Sequence, residues 1–152
     1  MKRKLLILSC SMRKVYTNDR VSALDLYDGV AFRLVKKMQK CGDFPDNLDI
    51  FIVSAKYGLI HASQKITFYE QKMTVKTAQH QAKQNCGILL EVLSSKQYSE
   101  IFANLGFIYL QALQPVSNWL TDDILFTVPK GKIGQKLQKM KCWLQSERVS
   151  LY

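Results

Sequence analysis

The chain has 152 residues, 47% hydrophobic and 22% charged, which is an ordinary globular composition and long enough for one domain with its own core. Its 22 Lys and Arg against 12 Asp and Glu give a formal net charge of +10, which favours a polyanionic partner, most commonly nucleic acid, over a role in solubility alone. No apolar run is long enough to span a membrane, which excludes a membrane-spanning protein, and we expect no membrane partner.

The four cysteines lie far apart and form no C-x-x-C pair, and the chain has only two histidines. This pattern excludes the usual zinc sites, and we expect neither a metal nor a cofactor. Four free thiols are typical of a reducing compartment, so we predict a cytoplasmic protein.

Two short apolar runs dominate the first half of the chain. We predict a first strand over residues 4–10, a polar loop to about Asp25, a helix from Tyr27 to Lys40 and a second strand over residues 49–54. Bare apolar runs of this length are typical of strands that are buried on both faces of a parallel sheet.

The second half continues the alternation of helices and strands. We predict a helix over 75–94 with Thr74 as its N-cap, a strand over 100–105, a short helix over 109–113, a strand over 124–128 and a last helix over 131–145. The alternation predicts a single α/β domain over residues 1–152, a three-layer α/β/α sandwich with a largely parallel sheet.

Each of the first two strands ends in small and polar residues. The first runs into Ser9-Cys10-Ser11 and Lys14, and the second runs into Lys56-Tyr57-Gly58. Because ligands of open α/β sheets bind outside the carboxyl ends of the strands, these residues predict a site for a phosphate or a carboxylate. Cys10 is a nucleophile if Lys14 lowers its pKa, although a cysteine at a strand end is more often inert packing.

The second strand exit offers a cation beside a phenol. Lys56 can bind a phosphate or act as an amine, Tyr57 can stack on a base or donate its hydroxyl, and Gly58 indicates a tight turn or a close approach to a ligand. A plain turn is the alternative, but it leaves the Lys-Tyr pair unexplained.

Three acidic residues lie beside tyrosines. Asp25 and Asp28 flank Tyr27, and Glu70 follows Tyr69. Asp28 is a candidate N-cap of the following helix. Asp25 has no comparable structural role in the pattern, and it is a candidate base.

The last predicted helix carries a regular line of cations. Lys132, Lys136 and Lys139 fall on one line, and Trp143 continues it one turn later. This arrangement suits a polynucleotide backbone with one base stacked on the indole, and a solvated face with Trp143 at the edge of the core is the alternative.

Taken together, residues 9–11, 25–29, 54–59 and the pair Tyr69-Glu70 resemble a group of small bacterial and phage domains of unknown function, similar in turn to the YaaA-like peroxide-stress proteins. The glycine-rich and then basic segment 131–144 extends this resemblance over nearly the whole chain. The YaaA likeness implies DNA binding in oxidative stress. A more distant likeness to the base-modification domain of archaeosine synthase implies a fold resembling uracil-DNA glycosylases.

Three hypotheses about function remain open at this point. The first is a nucleic-acid- or nucleotide-acting domain that modifies or releases a nucleobase, with Asp25, Lys56 and Tyr57 as catalytic residues and the basic helix holding the polymer. In it, the substrate contacts are Ser9, Cys10, Ser11, Lys14, Tyr27, Gly58, Tyr69 and Glu70. The second is a DNA- or RNA-binding module without turnover, and the third is a small-nucleotide enzyme.

Overall fold

The strands and helices alternate along most of the chain. The computed structural model describes residues 2–149, and side chains up to residue 146. The strands are β1 Arg3–Ser9, β2 Val21–Ser22, β3 Leu48–Ser54, β4 Gly58–His61, β5 Lys65–Ile66, β6 Tyr98–Asn104 and β7 Leu125–Thr127. The helices are α1 Ala23–Leu26, α2 Val30–Lys40, α3 Val75–Ser95, α4 Phe107–Leu110 and α5 Ile133–Val149, with 3-10 turns at Gln111–Leu113 and Val116–Asn118.

A five-stranded sheet with the order β4-β3-β1-β6-β7 forms the centre of the protein. β3, β1, β6 and β7 run parallel, and only the edge strand β4 is antiparallel to its neighbour. Because β3 and β6 lie on opposite sides of β1, crossovers of the usual right hand place α2 and α3 on opposite faces of the sheet. The α/β sandwich with a largely parallel sheet is therefore confirmed.

The two outer layers are made by different parts of the chain. α5 packs on β6 and against α2, whereas α3 packs on α4 and the Gln111–Leu113 turn. The central strand β1 lies between these layers, and Leu5, Leu6, Ile7 and Leu8 are at most 1% exposed. The bare apolar run of the sequence is explained by this burial on both faces.

The local predictions differ from the structure mainly around the first helix. Thr74 is the N-cap of α3, as predicted, and its hydroxyl accepts from the backbone N–H of Thr77. α2 begins at Val30 rather than Tyr27, and its N-cap is Gly29. Asp28 instead forms ion pairs with Arg33 at 2.8 Å and with Arg13 at 3.6 Å. β4 went unpredicted, since a four-residue edge strand has too short a pattern to be recognised.

The described residues bear on the expectations about membrane spans and about the cysteines. No helix within residues 2–149 combines the length and the apolar character that a bilayer crossing requires. The four cysteines all lie in this range and are free thiols, with Cys10 and Cys86 buried and Cys41 and Cys142 exposed.

A network of charged groups centred on Asp49 holds the amino-terminal ends of the central strands. Arg3 of β1 donates two hydrogen bonds to the Asp49 carboxylate, at 2.8 and 2.9 Å. The Tyr98 hydroxyl of β6 donates a third at 2.7 Å. The hydrogen bonds from Arg3 are the main reason that the pKa of Asp49 falls to about 2.

The stability of the fold is expected to depend on the ionisation of Asp49. Its pKa is lower in the folded than in the unfolded chain, so this contribution is present above pH 4 and is lost as the pH falls towards 2. We expect a loss of about 2 kcal/mol in the free energy of unfolding over this interval. Unfolding by denaturant at pH 5 and at pH 2.5 measures the loss, and Asp49→Asn should remove most of this pH dependence. An unchanged pH dependence in Asp49→Asn would contradict the assignment.

Candidate functional site

The sheet has one position where the direction of the connections reverses. From β1 the chain passes to β3 on one side, and it later returns to β6 on the other side of β1. The carboxyl ends of β1 and β6 therefore border a crevice of the kind in which open α/β sheets bind their ligands.

A cavity of about 370 Å³ lies in this crevice. β1 contributes Ser9-Cys10-Ser11, and β6 leads into Asn104 and Gly106. The remaining walls come from the starts of three helices: Gly29, Val30, Ala31 and Phe32 of α2, Tyr109 of α4, and Ile133, Lys136 and Leu137 of α5. The cavity is large enough for a ligand the size of a nucleotide.

The amino end of α2 makes this cavity attractive to an anion. Its N-cap, Gly29, has no side chain to occupy the first N–H groups, and no residue of the described first turn is acidic. The Ser11 hydroxyl accepts a hydrogen bond from the Gly29 N–H at 3.2 Å and donates one to the Arg13 carbonyl at 2.6 Å. Since backbone N–H groups at a helix start carry partial positive charge, this wall together with Lys136 suits a phosphate.

The mouth of the cavity is apolar. Val30 and Ile133, which line it, are 55% and 74% exposed, and Phe107, which follows the lining residue Gly106, is 73% exposed. Large apolar side chains exposed around a cavity are typical of a surface that receives a ligand. An aromatic ring such as that of Phe107 suits contact with a planar base.

The Cys10 thiol forms the inner wall between the cavity and the second strand exit. Its sulfur accepts a hydrogen bond from the Ala55 N–H at 3.4 Å and lies 3.4 Å from the Tyr109 hydroxyl. Burial raises the pKa of Tyr109, which therefore stays a neutral hydrogen-bonding group. The predicted substrate position of Cys10 is compatible with this placement, and a nucleophilic role stays a prediction.

A second cluster lies beyond Cys10, where β3 ends. The hydroxyls of Tyr27, Ser54 and Tyr69, which we call the hydroxyl cluster, are mutually hydrogen-bonded at 2.6, 2.9 and 3.1 Å. The ammonium of Lys14 lies 4.5 Å from the centre of the Tyr69 ring, and that of Lys56 lies 5.9 Å from it. The prediction that the two strand exits lie at the same edge of the sheet is therefore correct, because β1 and β3 are parallel neighbours.

The electrostatics of this cluster follow from burial. Burial raises the pKa of Tyr27 to about 12 and also raises the pKa of Tyr69, so both phenols are neutral near pH 7. Desolvation lowers the pKa of Lys14, while the nearby Glu70 carboxylate opposes this shift. Lys14 and Lys56 are therefore the charged groups of this cluster that are available to a ligand, and both ammonium groups lie over the neutral Tyr69 ring.

Tyr27 and Gly58 have structural roles, and Asp25 lies apart from the other predicted catalytic residues. Tyr27 is completely buried and its hydroxyl is hydrogen-bonded within the hydroxyl cluster, and the substrate contact predicted for it stays a prediction. Gly58 has a φ of +74°, and its close approach is to Asn85, whose Oδ1 atom would lie 2.9 Å from an added Cβ. Asp25 lies on α1 and lines a separate depression with Asp49 and His61. The described geometry therefore does not gather Asp25 with Lys56 and Tyr57.

The cations of α5 are divided between two environments. Lys136 lines the cavity, whereas Lys132 and Lys139 are exposed. Trp143 is half-buried and stacks on Phe102 of β6 with a ring-centre distance of 5.1 Å. The helix therefore packs on the sheet through the Trp143 ring, and the base-stacking role predicted for this residue stays a prediction.

Several cavity residues were missed by the sequence analysis. The third strand exit, Asn104 to Gly106, has the same strand-to-small-residue pattern as the first two and could have been found by the same argument. Lys136 was among the predicted nucleic-acid contacts, but the other wall residues of α2 and α5 had no local signal, because only the order of the strands brings their first turns to this crevice. Within residues 2–149, no group of three or more His, Cys, Asp or Glu side chains could hold a metal ion.

Comparisons with known proteins agree with this architecture. The sequence profile of a family of unknown function, DUF6884, matches residues 5–142. A solved structure described as AF0587, a protein of unknown function, is similar at 13% identity and a TM-score of 0.51. The similarity covers 95% of this chain and 45% of the other chain, so this chain spans slightly less than half of the length of that protein. No curated protein matches. These findings confirm the resemblance to a domain of unknown function and add no support for the YaaA or archaeosine synthase likeness.

Proposed function

Since the chain belongs to the family of unknown function DUF6884, we propose a function from its own geometry: it is a nucleic-acid-acting domain that receives one nucleotide in the crevice between β1 and β6. The single observation that carries this proposal is the composition of the cavity wall. Apolar side chains, serine hydroxyls, a helix amino end and a lysine there match the base, the sugar and the phosphate of a nucleotide.

The phosphate belongs at the α2 end of the cavity. There the N–H groups of the first turn and the ammonium of Lys136 offer positive charge to it. The base belongs at the apolar mouth, where Phe107 and Ile133 offer it exposed carbon surface. Chemistry at the base or at its glycosidic bond is part of the proposal, and the candidate groups for it in the cavity wall are the Cys10 thiol and the Tyr109 hydroxyl.

Lys136→Ala is expected to weaken binding of 5′-mononucleotides about ten-fold, because the ammonium loses a charge-assisted contact with the phosphate. Binding of the corresponding nucleosides, which carry no phosphate, should change little. Calorimetric titration of the common mononucleotides and nucleosides checks both halves of this expectation.

Lys83→Ala is the matched control for this experiment. Lys83 is an exposed lysine of α3, on the opposite layer of the fold, and its replacement removes the same charge. An equal loss of affinity in both variants would show that only the overall charge matters. The absence of mononucleotide binding in the unaltered protein would exclude the proposed site.

A binding module without turnover is the second candidate, and one observation favours it. Asp25, the predicted catalytic carboxylate, lies in a separate depression from the one that holds Cys10. Incubation of the protein with single-stranded DNA and with tRNA, followed by chromatography of released or altered bases, separates the two candidates. Chemical change that requires Cys10 or Tyr109 favours the enzyme, and intact nucleic acid with saturable binding favours the binder.

A further inference from the structure

The net charge of the chain is concentrated in one outer layer of the fold. Residues 30–40 and 130–146, which contain α2 and most of α5, carry nine Lys and Arg and no acidic residue. The remainder carries thirteen Lys and Arg against all twelve acidic residues and is nearly neutral. Because α2 and α5 pack together on one face of the sheet, the excess positive charge forms a single surface, which we call the basic layer.

The exposed cations of the basic layer border two connected depressions. Lys37 of α2 and Lys141 of α5 line a groove where the two helices meet, and Asp43 is its single acidic lining residue. Lys37 also borders an open depression on the outer surface of α2, together with Arg33, Lys36 and Lys40. Lys37, Lys40 and Lys141 are all exposed.

The basic layer is continuous with the nucleotide cavity. The first turns of α2 and α5 supply Ala31, Phe32 and Lys136 to the cavity wall, and the later turns of the same helices carry the exposed cations. The eleven residues of α2 extend about 16 Å, which is long enough to contact several nucleotides of a single strand. A strand with one nucleotide in the cavity can therefore follow the two helices away from it.

The same layer is poorly suited to a lipid surface. Phe32, Val35 and Met38 of α2 and Met140 and Leu144 of α5 are buried against the rest of the fold. A helix that lies in a membrane interface needs its large apolar side chains on the exposed side. Along the later turns of both helices the exposed described side chains are mainly Lys and Gln, which favours a phosphate backbone over a bilayer.

We infer that the basic layer binds the backbone of single-stranded nucleic acid and leads one of its nucleotides into the crevice between β1 and β6. This inference rests on the proposed function for the identity of the occupant of the cavity. It adds that the polymer is single-stranded and follows the basic layer, and it assigns Lys37, Lys40 and Lys141 as backbone contacts that free nucleotides do not need. A variant of Lys136 alone cannot separate polymer binding from nucleotide binding, because that lysine lines the cavity itself.

The test compares two triple variants of equal charge. The basic-layer variant carries Lys37→Gln, Lys40→Gln and Lys141→Gln, which remove three of the nine positive charges of that layer. The α3 variant carries Lys72→Gln, Lys76→Gln and Lys83→Gln, which remove three exposed lysines in and next to α3. Fluorescence anisotropy follows binding of a labelled oligothymidylate of about twelve nucleotides over a series of salt concentrations. Thermal unfolding verifies that both variants remain folded, which is expected because all six side chains are exposed.

The basic-layer variant should bind the oligonucleotide roughly 30-fold more weakly at low salt. Its slope of log affinity against log salt should be reduced by about two. The α3 variant should stay within about three-fold of the unaltered protein. Equal losses in the two variants, or no loss in either, would overturn the inference. So would binding of vesicles rich in anionic lipid without binding of the oligonucleotide.

Mononucleotide titration separates this inference from the proposed function. If the basic-layer variant loses the oligonucleotide and keeps mononucleotide binding, both statements are supported. If oligonucleotide binding depends on the basic layer but no mononucleotide binds, the surface stands and the proposed nucleotide cavity is wrong. If mononucleotides bind and the oligonucleotide does not, the cavity stands and the polymer inference is wrong.

Discussion

Replacement of Asn85 by alanine is expected to lower the free energy of unfolding by about 3 kcal/mol, a large effect for one polar side chain. Asn85 is 1% exposed, and its Oδ1 atom accepts a hydrogen bond from the Leu59 N–H at 2.9 Å. Its Nδ2 atom donates to the Ala112 carbonyl at 3.0 Å and to Gln81 Oε1 at 3.2 Å. The variant leaves a buried backbone donor and a buried backbone acceptor without these partners.

The cost is expected to be high because Asn85 joins three parts of the fold. From α3 it reaches β4 through Leu59 and the Gln111–Leu113 turn through Ala112. Urea unfolding of Asn85→Ala measures the loss, with an unchanged m-value as evidence that the native state remains compact. Gln84→Ala, at an exposed neighbouring position of the same helix, should change stability by less than about 0.5 kcal/mol. A loss below about 1 kcal/mol in Asn85→Ala would mean that water replaces the side chain.

Ser54→Ala should destabilise the protein by about 2–3 kcal/mol, even though it removes a single oxygen atom. Ser54 is completely buried at the end of β3. Its hydroxyl contacts the hydroxyls of Tyr27 and Tyr69 and accepts hydrogen bonds from the backbone N–H groups of Lys56 and Tyr57. The variant therefore loosens the hydroxyl cluster and the turn that carries Lys56 in one step.

The positions of Lys14 and Lys56 give a second readout of Ser54→Ala, which a general loss of stability would not change. We expect Ser54→Ala to shift the NMR signals of Lys14 and Lys56, whose ammonium groups lie over the Tyr69 ring. Ser94→Ala is the control, because its exposed hydroxyl bonds only within α3, to the Leu90 carbonyl at 2.8 Å. Unfolding by denaturant and two-dimensional NMR of both variants test the prediction. Equal stability of the two variants would contradict the role assigned to the hydroxyl cluster.

The candidate site shows which kinds of residue sequence reasoning can find. Ser9, Cys10 and Ser11 were placed correctly at a strand exit, since an apolar run that stops in small polar residues is a local pattern. The burial of Tyr27 was not predicted, because a tyrosine between two aspartates has the composition of a surface loop. Its burial arises from the bridge to Lys14 and from the hydroxyls of Ser54 and Tyr69, which are contacts between distant residues.

Trp143 and Asp25 show the same distinction in the outer layers. The helical spacing of Lys132, Lys136 and Lys139 was correct, but spacing does not tell which side of the line faces the sheet. Trp143 turned out to lie on the side that packs on β6. Asp25 was grouped with Lys56 by chemistry alone, and the fold separates them because α1 pairs with the region after β4 rather than with the strand exits.

The sequence by itself determined the alternation of strands and helices, the polar ends of β1 and β3, the N-cap at Thr74 and the positive charge of α2 and α5. These features depend on side-chain periodicity and on residues a few positions apart, which the order of residues specifies directly. Only the tertiary structure decided that β6 lies beside β1, that a cavity opens between them and that both basic helices share one layer. Those outcomes depend on strand order and crossover direction, which are set by burying the whole core at once rather than by any local segment.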